Sequence, residues 1–249
     1  MRYTFTILTI LLLFASCTQS NDESEAQKIV NKAIEVAGGE NYEKAIIKFN
    51  FRNISYKSSR SNGEFKLERI IIDSLGSETR DILSNSGLKR FKKNSAIKME
   101  DSLIKPISNS VNSVHYFIQI PFGLNDPAVN KTLVGRDIIN NHEYYEIKVT
   151  FDPGTSGSDH EDDYLYWINE ETFTVDYLAY NFEVNEGGVR FRKAVNPRVI
   201  NGLRFVDYEN YSYSDANVDL TRLDSLYTAG ELRLVSKIVN EDIEVEINK

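Results

Sequence analysis

The densest group of chemistry-bearing side chains closes the segment 152–163 (DPGTSGSDHEDD). There Asp159, His160, Glu161, Asp162 and Asp163 place four carboxylates and one imidazole within five residues. Hard carboxylate oxygens at that density suit calcium, and an imidazole among them suits a transition metal such as zinc. Asp159, His160, Asp162 and Asp163 are the expected ligands of such a metal. His160 with its acidic neighbours would then be the centre of a metal-supported hydrolase. The spacing is not that of an EF-hand, and the flanking Gly, Ser and Pro fit a solvated hairpin loop as well. A second pattern, His142-Glu143-Tyr144-Tyr145-Glu146, opens like a zinc-protease helix. It lacks the second histidine and falls on alternating, strand-like sequence. No GxSxG, HExxH, P-loop or GxGxxG motif occurs. No residue is therefore assigned a catalytic role, and no cofactor is expected beyond calcium or zinc at the acidic loop.

Arg190, Arg192, Lys193, Arg198 and Arg204 form a basic cluster in a chain of formal net charge −8. Arg190 and Arg192 are two apart, so on a strand they share one face and could grip a carboxylate or a lipid phosphate. Ion pairing with Asp and Glu of neighbouring strands is the plainer use. Tyr166, Trp167, Tyr177, Tyr180, Tyr208, Tyr211 and Tyr213 could make a glycan-stacking surface, although strand propensity alone explains such enrichment. The acidic balance argues against a nucleic-acid partner, which needs a basic face to displace counterions from phosphates. A single cysteine, Cys17, excludes both an intrachain disulfide framework and a Cys-rich zinc site.

Cys17 follows Arg2, an apolar run at 7–14 (ILTILLLF) and the small residues Ala15 and Ser16. Charge, short apolar stretch and small-residue exit are the parts of a secretory signal, and the run is too short to span a bilayer. Phe14-Ala15-Ser16-Cys17 resembles a bacterial lipobox, with Phe14 where that pattern usually has Leu. The resemblance implies a signal peptide at 1–16 and a Cys17 diacylated on sulfur as the mature N-terminus, anchored in a membrane. Residues 17–24 would be a polar, lipidated tether. Asp22-Glu23 within it is similar to the surface-export signals of Bacteroidota lipoproteins.

The elements behind these side chains divide by period. Ala26, Ile29, Val30, Ala33, Ile34 and Ala37 recur on one helical face, with capping-box spacing at Ser24 and Gln27 and a Gly38-Gly39 stop. After Tyr42 the period falls to two. Ile47, Phe49 and Phe51 alternate with polar residues, Asn62-Gly63 signals a hairpin, and 64–72 returns with Phe65, Leu67 and Ile71 on one face. Strands are expected at 78–84 and 88–93. Val111, Val114 and Phe117 or Ile118 then mark a helix or covering loop within 107–119. Strands resume at 131–139, 143–151, 164–169, 172–182, 189–195 and 203–213, with a last long one within 231–247. The expected fold is mainly β, an antiparallel half-open barrel of roughly ten strands with an N-terminal helix and a mid-chain helix or covering loop, filling a single domain over 25–249.

The hairpin through Tyr164-Leu165-Tyr166-Trp167-Ile168-Asn169, Glu170-Glu171-Thr172 and Tyr177 looks like one of the lipoprotein-localisation superfamily of LolA, LolB and their relatives. The preceding hairpin from Gly135-Arg136-Asp137 to Glu146-Ile147-Lys148-Val149 is similar to its neighbour there. The stretch from Gly187-Gly188 to Asn201-Gly202-Leu203-Arg204-Phe205 also resembles uncharacterised Bacteroidota lipoproteins. The superfamily resemblance implies a half-barrel wrapped over helices with an apolar concave face. The expected function is a non-catalytic envelope lipoprotein, anchored to the outer membrane and facing the periplasm or the surface, that binds a lipid or another apolar or amphiphilic molecule. Phe49, Phe51, Phe65, Leu67, Arg190 and Arg192 are the expected ligand-binding residues. The alternatives are the hydrolase at His160 and a surface accessory protein for glycans or proteins.

Overall fold

The computed structural model describes residues 23–152, 163–183 and 187–248. The signal segment, Cys17 and most of the tether lie outside the described residues, as do Asp159, His160, Glu161 and Asp162 of the acidic loop. Among the described residues no helix is long and apolar enough to cross a membrane.

Helix α1 (Glu25–Ala37) starts where the Ser24 hydroxyl accepts a hydrogen bond from the Gln27 backbone N–H, 3.2 Å away. Its apolar stripe buries Ala26, Ile29, Val30, Ala33 and Ala37. Gly38 ends it at φ 138°, where a Cβ would meet the Gly202 carbonyl oxygen at 2.8 Å. Glycine is required there by both the backbone angle and the close approach. A single turn, α2 (Asn41–Lys44), leads into the first meander.

That meander comprises β1 (Ala45–Phe51), β2 (Ile54–Ser61), β3 (Glu64–Ile72), β4 (Glu78–Ser84), β5 (Gly87–Lys92) and β6 (Ser95–Ile97). Helix α3 (Asp101–Ile118) follows. A second meander runs through β7 (Val129–Ile139), β8 (His142–Phe151), β9 (Tyr164–Asn169), β10 (Val175–Phe182), β11 (Gly188–Ile200) and β12 (Leu203–Ser212). A short helix α4 (Leu223–Thr228) intervenes before β13 (Arg233–Ile238) pairs with β12. The last strand, β14 (Glu241–Ile247), crosses back to pair with β1. The result is two seven-stranded antiparallel sheets, open rather than closed, with orders β14-β1-β2-β3-β4-β5-β6 and β13-β12-β11-β10-β9-β8-β7.

Three differences from the sequence reading have local causes. The strand count is fourteen, not about ten, partly because Arg52 and Asn53 adopt positive φ (51° and 60°) and fold a tight hairpin where one alternating run was expected. The run within 231–247 is two strands in different sheets. Buried Asn240 breaks it, with its N–H on Asp207 and its carbonyl oxygen accepting from Arg198. Helix α3 begins before Pro106, and its first six residues are exposed, so no apolar stripe marks them.

One core lies between α1, α3 and the concave face of the second sheet, including Ile147, Tyr166, Leu178 and Tyr208. A second, with Tyr42, Ile47, Phe49, Ile118, Phe205 and Val245, joins the two sheets. A third covers the convex face of the second sheet, where Leu223 and Leu226 of α4 bury Trp167, Tyr177 and Phe191. Six residues are too short for helical periodicity to announce α4.

Candidate functional site

The amphipathic face of α3 lies across the concave side and leaves a cavity on each flank, of about 480 and 470 Å3. Both touch Phe117 and Ser113 of α3 and Tyr164 of β9. Each volume falls in the range of small-molecule sites, about 300–1,000 Å3.

The first cavity opens against β3 and β4. Phe65 and Leu67 line it, as does Arg60 at the end of β2. The Arg60 guanidinium lies 5.0 Å from the Phe122 ring centroid, and its Nη1 donates to Gln119 Oε1 at 2.5 Å. Burial pulls its pKa down to about 10. Asp126 is the acid on this lining, and its carboxylate accepts from the Ala128 N–H. His115 forms part of the floor at 1% exposure, edge-on to Phe49 and Tyr56. Its Nε2 lies 3.1 Å from the Glu68 carbonyl oxygen, while burial pushes its pKa down to about 4, so the ring is neutral and donates there. It is a core histidine.

The second cavity is walled by Phe51, Tyr180, Phe182, Tyr208, Arg192 and Ile238, and no carboxylate lines it among the described residues. Arg192 is only 8% exposed. Its Cζ sits 3.8 Å from the Phe117 ring centroid and 5.1 Å from that of Tyr180, whose hydroxyl accepts from Nη2 at 2.7 Å. The buried Nε–H has no partner, nor has Oδ1 of Asn210, directly across the strand pair. The Asn210 Nδ2 donates to the Ser236 hydroxyl at 3.1 Å. The neighbouring-strand ion pair expected for this basic cluster forms at Arg198, with Asp207 of β12 at 3.0 Å, whereas Arg204 reaches past β11 to Asp176 of β10 at 3.7 Å. Arg192 forms none among the described residues.

The other expected residues separate. Phe49 and Ile47 are core, Phe49 stacking on Tyr56 at 5.2 Å, and they line neither cavity. Arg190 shares the Arg192 face, with its guanidinium 4.5 Å from the Phe182 ring centroid and Nη1 donating to its neighbour's carbonyl. Asp163, the described member of the acidic loop's ligand set, pairs with Lys148 at 2.7 Å. His142 is exposed and lies on a strand. The tyrosines do not form one surface: Tyr166, Tyr180 and Tyr208 face inward, whereas Tyr177 and Tyr211 join the opposite cluster. Sequence reading missed Arg60 and Asn210. Arg60 carried one signal, a cation two residues before the Asn62-Gly63 turn on an otherwise neutral face.

The fold is similar to that of a LolA superfamily protein from Nitrosomonas europaea, at 14% identity with a TM-score of 0.50, over 91% of this chain and 95% of that one. A DUF1329 family protein from Desulfovibrio piger aligns at 10% identity with a TM-score of 0.49, over 91% and 94%. At this level of identity the likeness is one of fold. No curated protein matches the sequence. The profile of a family of unknown function, DUF6503, matches residues 2–241, and the chain, a mainly β half-barrel of LolA type, belongs to that family.

Proposed function

We propose that this protein is a non-catalytic envelope lipoprotein, tethered to the outer membrane through an acylated Cys17, that binds an anionic amphiphile beneath α3. The apolar chain occupies the cavities flanking α3. The acidic head group meets Arg192. The observation that carries this reading is a guanidinium that is 8% exposed, set in an aromatic wall, and without a carboxylate partner among the described residues. A buried charge is expensive unless it is paired, and aromatic faces offset only part of that cost. An anion accepting from Nε–H and the guanidinium edge satisfies both the charge and the orphaned donor. The LolA superfamily name of the Nitrosomonas europaea relative agrees with a lipid-class ligand but does not specify it.

The test uses the mature chain, residues 17–249 with Cys17→Ser, which keeps every described element and removes the acyl anchor. A fluorescent long-chain fatty acid and its neutral methyl ester are titrated against the wild type and Arg192→Met. The acid binds more tightly than the ester. Arg192→Met weakens the acid by at least about tenfold, corresponding to one charge-assisted hydrogen bond of ~1.5–3 kcal/mol, and leaves the ester within about threefold. Equal losses for acid and ester, or no binding of either, overturn the proposal.

A further inference from the structure

The convex face of the second sheet carries a group of acids that the ligand cavity does not use. Period two on β8 sends Ile147 and Val149 to the concave core and Glu146 to the opposite side, at 7% exposure. Its register partners are Gly135 on β7 and Trp167 on β9. A Cβ on residue 135 would lie 2.4 Å from Glu146 Oε2, so the carboxyl fills space that only glycine leaves. Asp137 follows two residues later on the same face of β7. Asp224 comes from α4, folded over this face and 2% exposed, between the buried Leu223 and Leu226. One oxygen from each of the three carboxyls lies within 4.8 Å of the others.

Three acids this close repel unless something neutralises them. Among the described residues no lysine or arginine pairs with any of them. A second observation points the same way. Glu146 Oε1 is buried with no hydrogen bond of good geometry; the indole Nε1–H of Trp167, its cross-strand neighbour, lies beside the carboxyl but is likewise unsatisfied. A lone oxygen at this depth is costly unless a cation or a proton is bound.

We infer that Asp137, Glu146 and Asp224 form a site for a hard divalent cation of the calcium class, tying α4 to strands β7 and β8. Oxygens bound to calcium at about 2.3–2.6 Å can lie up to roughly 5 Å apart, which accommodates three oxygens within 4.8 Å of one another, and calcium tolerates irregular geometry where magnesium demands a near-ideal octahedron. All three ligands are carboxylates, with no imidazole or thiolate to favour a softer metal. Water fills the remaining positions on the side of exposed Asp137. This site is independent of the amphiphile cavity, which lies on the other face of the sheet.

Trp167 is the chain's only tryptophan and cross-strand to Glu146, which supplies the test. Terbium(III), a calcium mimic, is titrated into the mature chain (residues 17–249, Cys17→Ser) with excitation at the red edge of the tryptophan band, where tyrosine does not absorb. Sensitised terbium emission appears and calcium competes it away. Asp224→Asn weakens terbium binding at least about tenfold, because ligand charge count sets affinity. Asp137→Asn, at an exposed position, does the same with less risk to folding. Asp159→Asn with Asp162→Asn leaves the signal unchanged, separating this site from the acidic loop. Absent sensitised emission, emission that calcium does not displace, or emission that survives both Asp137→Asn and Asp224→Asn overturns the inference. Each of those results would mean that the three acids share protons instead.

Discussion

Among the described residues the two faces of the second sheet hold unpaired groups of opposite sign, and neither supplies what the other lacks. The concave face holds Arg192 in an aromatic wall without an acid beside it. The convex face holds Glu146, Asp137 and Asp224, with which no lysine or arginine pairs among the described residues. The first sheet shows how this chain treats charges meant only for each other. There Asp81, fully buried, receives Arg69 at 2.7 Å and Arg90 at 2.6 Å from the flanking strands, and Arg69 continues to Ser110 of α3. Burial alone would raise the Asp81 pKa, but the hydrogen bonds from Arg90 and Arg69 outweigh it and hold the carboxyl low. Alternation here puts Arg192 and Glu146 on opposite sides of the second sheet, so they cannot pair with each other. The proposed amphiphile and the proposed cation each supply one side with a partner from outside the chain.

The largest effect is expected where the charges already match. Asp81→Asn leaves two guanidinium groups facing a neutral amide and costs about 3 kcal/mol in chemical denaturation. The sign with pH follows from the lowered pKa. The wild-type contribution is present above the ordinary carboxylate value of 3.8 and is lost as pH falls through the lower folded value. Asp81→Asn lacks that acid-side loss, and a variant equally stable at neutral pH would remove the contrast between matched and unmatched charges. Gly135→Ala comes next. Its Cβ must displace the Glu146 carboxyl, which costs about 1–2 kcal/mol and weakens terbium binding with it. No change in either measurement would show that Glu146 is not confined as described. The smallest effect is at Arg192. In ligand-free protein, Arg192→Met shifts the unfolding free energy by no more than about 1 kcal/mol in either direction, since removing an unpaired buried charge offsets the lost aromatic contacts. A loss as large as that for Asp81→Asn would mean that Arg192 serves the fold and not a ligand.

Much of the sheet architecture was legible because its signals are local. The expected bounds 64–72, 78–84 and 164–169 match β3, β4 and β9, each set off by turn residues and by alternation of two. Arg190 and Arg192 were placed on one face by the same period, and that face is the concave one. The sites were less legible, because each gathers residues that no window contains. His142-Glu143-Tyr144-Tyr145-Glu146 attracted notice for its histidine, yet the member with a structural partner set is Glu146. Its companion on β7 could be found by pairing that hairpin in register at Gly135, whereas Asp224 could not, since α4 is too short to announce itself. Phe49 and Phe65 look alike in the alternation. Only the position of α3 makes the first a core residue and the second a cavity wall.

Sequence alone determined the class of fold, most strand positions, the capped N-terminal helix and that Arg190 and Arg192 share a face, because backbone period and turn chemistry act over a few residues. Tertiary structure decided which charges are neutralised within the chain, that β14 returns to β1 rather than extending β13, and that α3 leaves space on both flanks. Those outcomes depend on where distant segments pack and on how much volume their side chains fill.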